Sequence, residues 1–220
     1  MGKLIVIEGT DASGKETQTN KLFLRLNAMG KNVRTISFPN YNSPACEPVK
    51  MYLSGKFGTD ANAVNPYPVS TMYAIDRYAS YKMDWEKNYK DDCIIVTDRY
   101  VTSNMIHQCA KLSDTSEKLE YLRWLVDLEY DKNKIPVPDM VIFLNMPPKD
   151  ALSLMRGRES KFAKDIHESN ELFLKKSYDN ACYVAQLYKW KEIKCVDENG
   201  NLRTIEDISE EIYRLIEHLI

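Results

Sequence analysis

The chain is poor in residues that build several common kinds of site. Three histidines, His107, His167 and His218, are too few and too widely spaced for a zinc centre. The five cysteines, Cys46, Cys93, Cys109, Cys182 and Cys195, form no C-x-x-C pair and are odd in number. They read as reduced, buried thiols and not as a disulfide framework. No apolar stretch approaches the roughly 18 residues of a membrane helix. Met1-Gly2-Lys3 leads into only four apolar residues, too few for a secretory leader. These absences set an expectation of a cytoplasmic protein without a membrane partner. A net charge of -2 and a pI near 6.0 argue against a dedicated nucleic-acid binder, whose domain is usually basic.

What remains is ordinary globular material: 44% hydrophobic and 28% charged residues over 220 positions, enough for one core. A single domain over 1–220 is expected, since neither repeats nor a linker interrupt it. Leu4–Ile7, Asn32–Phe38, Cys93–Thr97, Met140–Leu144 and Ile193–Val196 read as short strands. Helical spacing falls between them, over 15–29, 46–55, 71–87 with Ser70 as N-cap, 116–132, 148–157, 168–190 and 205–219. Continuous apolar strands alternating with helices predict a three-layer α/β fold, a parallel sheet covered on both faces. Ligands on such sheets sit beyond the carboxyl ends of the strands. The loops after Ile7, Phe38, Thr97 and Leu144 should therefore share one site.

The first of these loops reads IEGTDASGKETQT, with Gly9, Gly14 and Lys15 in Gly-x4-Gly-Lys spacing between a strand and a helix. That setting is what a phosphate-binding loop requires. Backbone N–H groups of Gly9, Thr10, Asp11, Ala12, Ser13, Gly14 and Lys15 would cradle an anion, with the Lys15 charge added. The usual magnesium-holding hydroxyl is replaced by Glu16, and a hydroxyl follows one place late at Thr17. A metal ion must then take other ligands, phosphate oxygens, water and Asp11 among them.

The loop after the third strand carries Asp98 and Arg99, and a planar guanidinium suits a second phosphate. Two phosphate sites at one sheet edge suggest a donor and an acceptor nucleotide. Tyr73 and Arg77, four apart on one helix, can stack on a base and donate to its carbonyl. Phe38 or Tyr41 can wall the same pocket. Lys149, Arg156, Arg158, Lys161 and Lys164, broken by Gly157, read as a lid over 147–168 whose arginines neutralise a transferring phosphoryl group.

Together EGTDASGK, FPNY, YAIDRY, DRYVTSN and the Arg-Gly-Arg lid resemble the thymidylate kinase family, in order and spacing, over nearly the whole chain. The resemblance implies a five-stranded parallel sheet, transfer of the γ-phosphoryl group of ATP to dTMP with Mg2+, and a homodimer. It implies roles for Asp11 at the acceptor and metal, Lys15 at the donor phosphates, and Arg99 at the acceptor phosphate. It places Tyr73, Arg77, Ser103 and Asn104 at the base. His107 falls near a position that in some members excludes ribose, and Glu168 is a further candidate metal ligand. Ala12 stands where one branch has a loop arginine, so the lid arginines Arg156 and Arg158 would supply the catalytic charge.

Rival readings fit less well. A deoxynucleoside kinase needs a carboxylate after the second strand, and FPNYNSP holds none before Glu47. A nucleotide-binding protein without turnover has only Glu16 in its favour. A GTPase switch would need a guanine-reading Asn-Lys-x-Asp.

Overall fold

The computed structural model describes residues 1–60, 64–157 and 171–220. In chain order the principal elements are β1 (Lys3–Glu8), α1 (Lys15–Ala28), β2 (Val33–Ser37), α2 (Glu47–Leu53), α3 (Pro66–Ser80), α4 (Glu86–Lys90) and β3 (Ile94–Asp98). They continue with α5 (Val101–His107), α6 (Thr115–Val126), β4 (Met140–Asn145), α7 (Pro148–Gly157), α8 (Glu171–Leu187), β5 (Lys191–Lys194) and α9 (Ile205–Ile216).

The five strands pair in parallel, as the resemblance implied, and their order is β2-β3-β1-β4-β5. β1 is central and buried on both faces, which is why it reads as an unbroken apolar run. Its side chains alternate between two cores. Leu4 and Val6 join Phe38, Trp85, Tyr100, Tyr121 and Leu122 on one face. Ile5 and Ile7 join Leu22, Leu26, Ile142, Ile208 and Ile212 on the other. α1 and α9 close that second face, the isoleucines of α9 recurring at helical spacing from Ile208 to Ile216. Strand order reverses around β1, so its carboxyl end opens onto a crevice between diverging connections.

Two local expectations change. The third helix begins at Pro66, capped by Asn65, whose Oδ1 accepts from Tyr67 N at 3.0 Å. Ser70 is no cap; it is buried, its hydroxyl 2.7 Å from that of Tyr121. Pro66 and Pro68 do not prevent this, since prolines fit a first helical turn, where no intrahelical N–H bond is lost. The helix expected over 116–132 is α only to Val126 and continues as a π-helical turn over Asp127–Lys132. That turn carries Glu129 into the interior. Among the described residues no helix is long and apolar enough to cross a membrane.

Candidate functional site

β1 ends at Glu8 and the chain turns through Gly9–Gly14 into α1. Gly9 holds φ 158°, and a Cβ there would lie 2.9 Å from the Leu144 carbonyl oxygen, so no larger residue fits. Gly14 caps α1 at φ 88° with open space around it; there the requirement is conformational. Ala12 takes a left-handed φ of 59° without being glycine, a strain that marks a constrained loop. Lys15 folds back and donates to the Thr10 carbonyl at 2.8 Å. Its burial, with Arg99 beside it, pulls the ammonium pKa down against the pull of Asp11, Asp98 and Glu8. The Ser13 hydroxyl is buried without a partner among the described residues. A buried orphan hydroxyl and a lysine resting on its own loop suit an anion that would engage both.

Glu16 is exposed in the first turn of α1, with Thr17 half-buried beside it. Glu16 and Asp98 line one cleft together with Thr19 and Ser37. Asp98 Oδ1 is buried and lacks a hydrogen-bond partner among the described residues.

On the other side of β1, Arg99 leaves β3 with a left-handed φ of 66°. Such a conformation costs a non-glycine residue about 1–2 kcal/mol. Thr97 secures it by donating to the Arg99 carbonyl at 2.7 Å. The Arg99 guanidinium pairs with Asp11 through Nη2 and reaches His107 Nε2 at 3.1 Å through Nη1. A guanidinium only donates, so His107 accepts here and carries its own proton on Nδ1. Burial pushes the Asp11 carboxyl up, but Arg99 and Lys15 outweigh it and hold it well below the ordinary carboxylate range. Burial lowers Arg99 while Asp11, Glu8 and Asp98 more than compensate, so the guanidinium stays charged.

Asp11, Arg99 and His107 form one end of a pocket whose walls include Phe38, Tyr73 and Asn104. Tyr41, also in the wall, is 53% exposed and stands at the mouth. Phe38 belongs to both pocket and core, tilted against Tyr100 at a centroid distance of 5.9 Å. Arg77 lines the pocket but is 1% exposed and held from several sides. Its Nε donates to Glu129 Oε1 at 2.9 Å, Nη2 meets the same oxygen, and Nη1 donates to Asn104 Oδ1 at 3.2 Å. Burial alone would lower the Arg77 pKa; Glu129 reverses the sign. The arginine expected to donate to a base carbonyl lines the pocket and is also paired with Glu129 and Asn104.

Ser103 also lines the pocket, yet its hydroxyl donates to Glu8 Oε2 at 2.8 Å. Asn104 Nδ2 and Gln108 Oε1 are buried without partners among the described residues. Arg156 is the last residue but one of α7 and its side chain is not described; Arg158 and Glu168 lie outside the described residues.

Four residues escaped the sequence reading. Glu8 and Glu129 are buried carboxylates indistinguishable in sequence from surface acids. Asp76 accepts from Asn40 N at 2.9 Å and fastens the FPNY loop to α3. Gln108 follows one place after the expected site helix positions and was within reach of a helical-face argument, four residues beyond Asn104.

A family model described as Thymidylate kinase matches residues 7–212. A thymidylate kinase of Mycobacterium tuberculosis H37Rv is 31% identical over 159 residues, 72% of each chain. A probable thymidylate kinase of Thermococcus onnurineus is 30% identical over 217 residues, 97% of each chain. A solved thymidylate kinase structure from Candida albicans aligns with a TM-score of 0.74 at 19% identity, covering 99% of this chain and 92% of that one. That last likeness speaks for the fold.

Proposed function

The chain belongs to the thymidylate kinase family, which uses ATP, and from that premise we propose how its residues carry phosphoryl transfer to dTMP, giving dTDP and ADP. The single observation behind the assignment of roles is the pairing of Asp11 with Arg99, which joins the phosphate loop to the head of the second pocket.

ATP lies with its phosphates along Gly9–Thr17, Lys15 leaving the Thr10 carbonyl for the outer phosphates. The dTMP phosphate takes up the free edge of the Arg99 guanidinium, and its base enters between Tyr73 and Phe38. An acceptor phosphate oxygen attacks the γ-phosphorus as the bond to the β–γ bridging oxygen breaks, and ADP leaves with that electron pair. A phosphate nucleophile is already anionic, so the step needs positioning and charge neutralisation more than a strong base. Lys15 and Arg99 bring positive charge from two sides; Arg156 and Arg158 add it from a lid over 147–168 of the same single domain.

The residues also fit Mg2+. Asp98, with a buried oxygen unpartnered among the described residues, and Glu16 share one cleft and would offer hard oxygen donors, while Asp11 would join them only by leaving Arg99. Among the described residues no three such side chains already form a metal-holding group, so phosphate oxygens and water would complete the shell. Glu168 is a further candidate. When bound, the ion shields charge between the β- and γ-phosphoryl groups. Glu16 would then offer a carboxylate at a position usually given to a hydroxyl.

Asn104 retains a donor and Gln108 an acceptor, the complement of a carbonyl and its neighbouring N–H on thymine. Arg77 acts on the base through Asn104, whose Oδ1 it occupies. His107 stands beside Arg99 at the sugar end, where it bears on the choice between deoxyribose and ribose. A second copy of the chain is the proposed partner, with exposed Ile75, Tyr78 and Met83 as apolar surface for it, and the cytoplasm the proposed compartment.

The test is phosphoryl transfer from MgATP to dTMP, dUMP, UMP, GMP and thymidine in parallel. Preference for dTMP is expected. Activity on thymidine alone would overturn the role of Arg99. ATP binding without transfer to any acceptor would overturn the phosphoryl-transfer reading in favour of a nucleotide-binding protein without turnover.

A further inference from the structure

The ladder between β1 and β3 runs from Lys3 opposite Ile94 to Ile7 opposite Asp98. Beyond that pair the two chains part. One enters the phosphate loop, and the other passes through Arg99 and Tyr100 into α5. The remaining backbone contact, Arg99 N to Ile7 O, is stretched to 3.4 Å. A side chain bridges the gap. Glu8, with no exposed surface, accepts from Gly9 N at 3.0 Å through Oε1. Its Oε2 accepts from the Thr102 hydroxyl at 2.7 Å and the Ser103 hydroxyl at 2.8 Å.

We propose that Glu8 is a positioning residue, a strut that fixes the acceptor-side helix α5 against the donor-side phosphate loop and so sets the approach of the two phosphates. The proposal rests on the two-nucleotide reading above. A carboxylate suits the role. It offers acceptors on both oxygens, and every neighbour is a donor. An amide could keep these contacts only by turning both hydroxyls into acceptors, and it would exchange charge-assisted hydrogen bonds for weaker neutral ones and remove the negative charge beside Arg99 and Lys15. Burial raises the Glu8 pKa, while Arg99 first and Lys15 next oppose it. The two cations offset part of that upward push, and every hydrogen bond Glu8 makes is one it accepts, the pattern of a carboxylate.

The consequence is a division of effects. Glu8 touches neither nucleotide, so its loss should disturb alignment more than binding. Misplacement on the scale of 1 Å can cost about a hundredfold in rate.

The experiment compares the wild type with Glu8→Gln, with Thr102→Val/Ser103→Ala, and with all three changes combined. Folding is checked by thermal melting, and competent sites are counted by dTMP titration. Glu8→Gln is expected to lower kcat per competent site about 10- to 100-fold, with KM for ATP and for dTMP each within about threefold. The hydroxyl-less variant should show the same pattern more weakly. The triple variant should be no slower than Glu8→Gln, because all three side chains act through one set of contacts. Unchanged kcat per competent site in either folded variant would overturn the proposal, as would losses that multiply in the combination. Should Glu8→Gln fail to fold, the hydroxyl-less variant decides by the same kcat-against-KM pattern. A wild type inactive on dTMP is a separate failure, that of the acceptor assignment.

Discussion

The donor loop and the acceptor pocket meet at one strand end but are built in opposite ways. The loop is made by neighbours in sequence: Lys15 donates to a carbonyl five residues back, and its glycines supply the conformations. The pocket is made across the fold. Arg77 meets Glu129 over 52 positions, and Arg99 meets Asp11 over 88. The loop presents mostly backbone groups, whose chemistry does not depend on distant side chains. The pocket depends on buried charges that must find each other, and one missing partner leaves the other unpaired in a poor solvent. Damage to the loop should therefore appear in turnover, and damage to the pocket in stability and acceptor affinity together.

The largest effect expected on the loop side is that of Lys15→Met. Turnover should fall about a thousandfold, the scale of losing a preorganised charge at the transferring group, with dTMP affinity nearly unchanged. Steady-state kinetics alongside calorimetric dTMP titration checks this. A parallel collapse of dTMP affinity would show the two regions to be one.

On the pocket side, Glu129→Leu strands the Arg77 charge in the interior and should destabilise the protein by about 3–5 kcal/mol in urea titrations. Arg77→Met/Glu129→Leu should recover most of that stability, since a buried ion pair exchanges well for apolar residues of similar size. It should still bind dTMP poorly, because Asn104 has lost the donor that orients it. If the double variant keeps wild-type dTMP affinity, Arg77 serves only the core.

The smallest effect lies on the outer wall. Lys111 donates to the Tyr52 hydroxyl and the Val64 carbonyl, and burial pulls its pKa down to about 8. Between that value and the ordinary lysine range near 10.4, the unfolded chain holds more protons than the folded one. Stability from this group therefore rises with pH across the window. The wild-type stability minus that of Lys111→Met should grow from pH 8 to pH 10 in urea melts. A flat difference would show that the lysine titrates normally in the fold.

The same contrast explains what could be read from the sequence. The strands and the phosphate-loop pattern were legible because apolar runs, glycine spacing and the Gly-Lys pair carry their meaning locally. Asp11, Arg99, Tyr73 and Asn104 were found as residues, and the fold brings them to one pocket. Their partners were not legible. Nothing distinguishes Glu129 or Glu8 from the chain's other acids until burial and hydrogen bonding single them out. Ser70 failed as a cap for a local reason: Asn65 and the first-turn prolines start the helix earlier.

In the proposed function Arg99 holds the acceptor's phosphate. Calorimetric titration of dTMP and of thymidine into the wild type and Arg99→Ala tests it most directly. The wild type should bind dTMP about a hundredfold more tightly than thymidine, and in Arg99→Ala that advantage should shrink to within about fivefold, with ATP affinity retained. An undiminished preference for dTMP in Arg99→Ala would contradict the account.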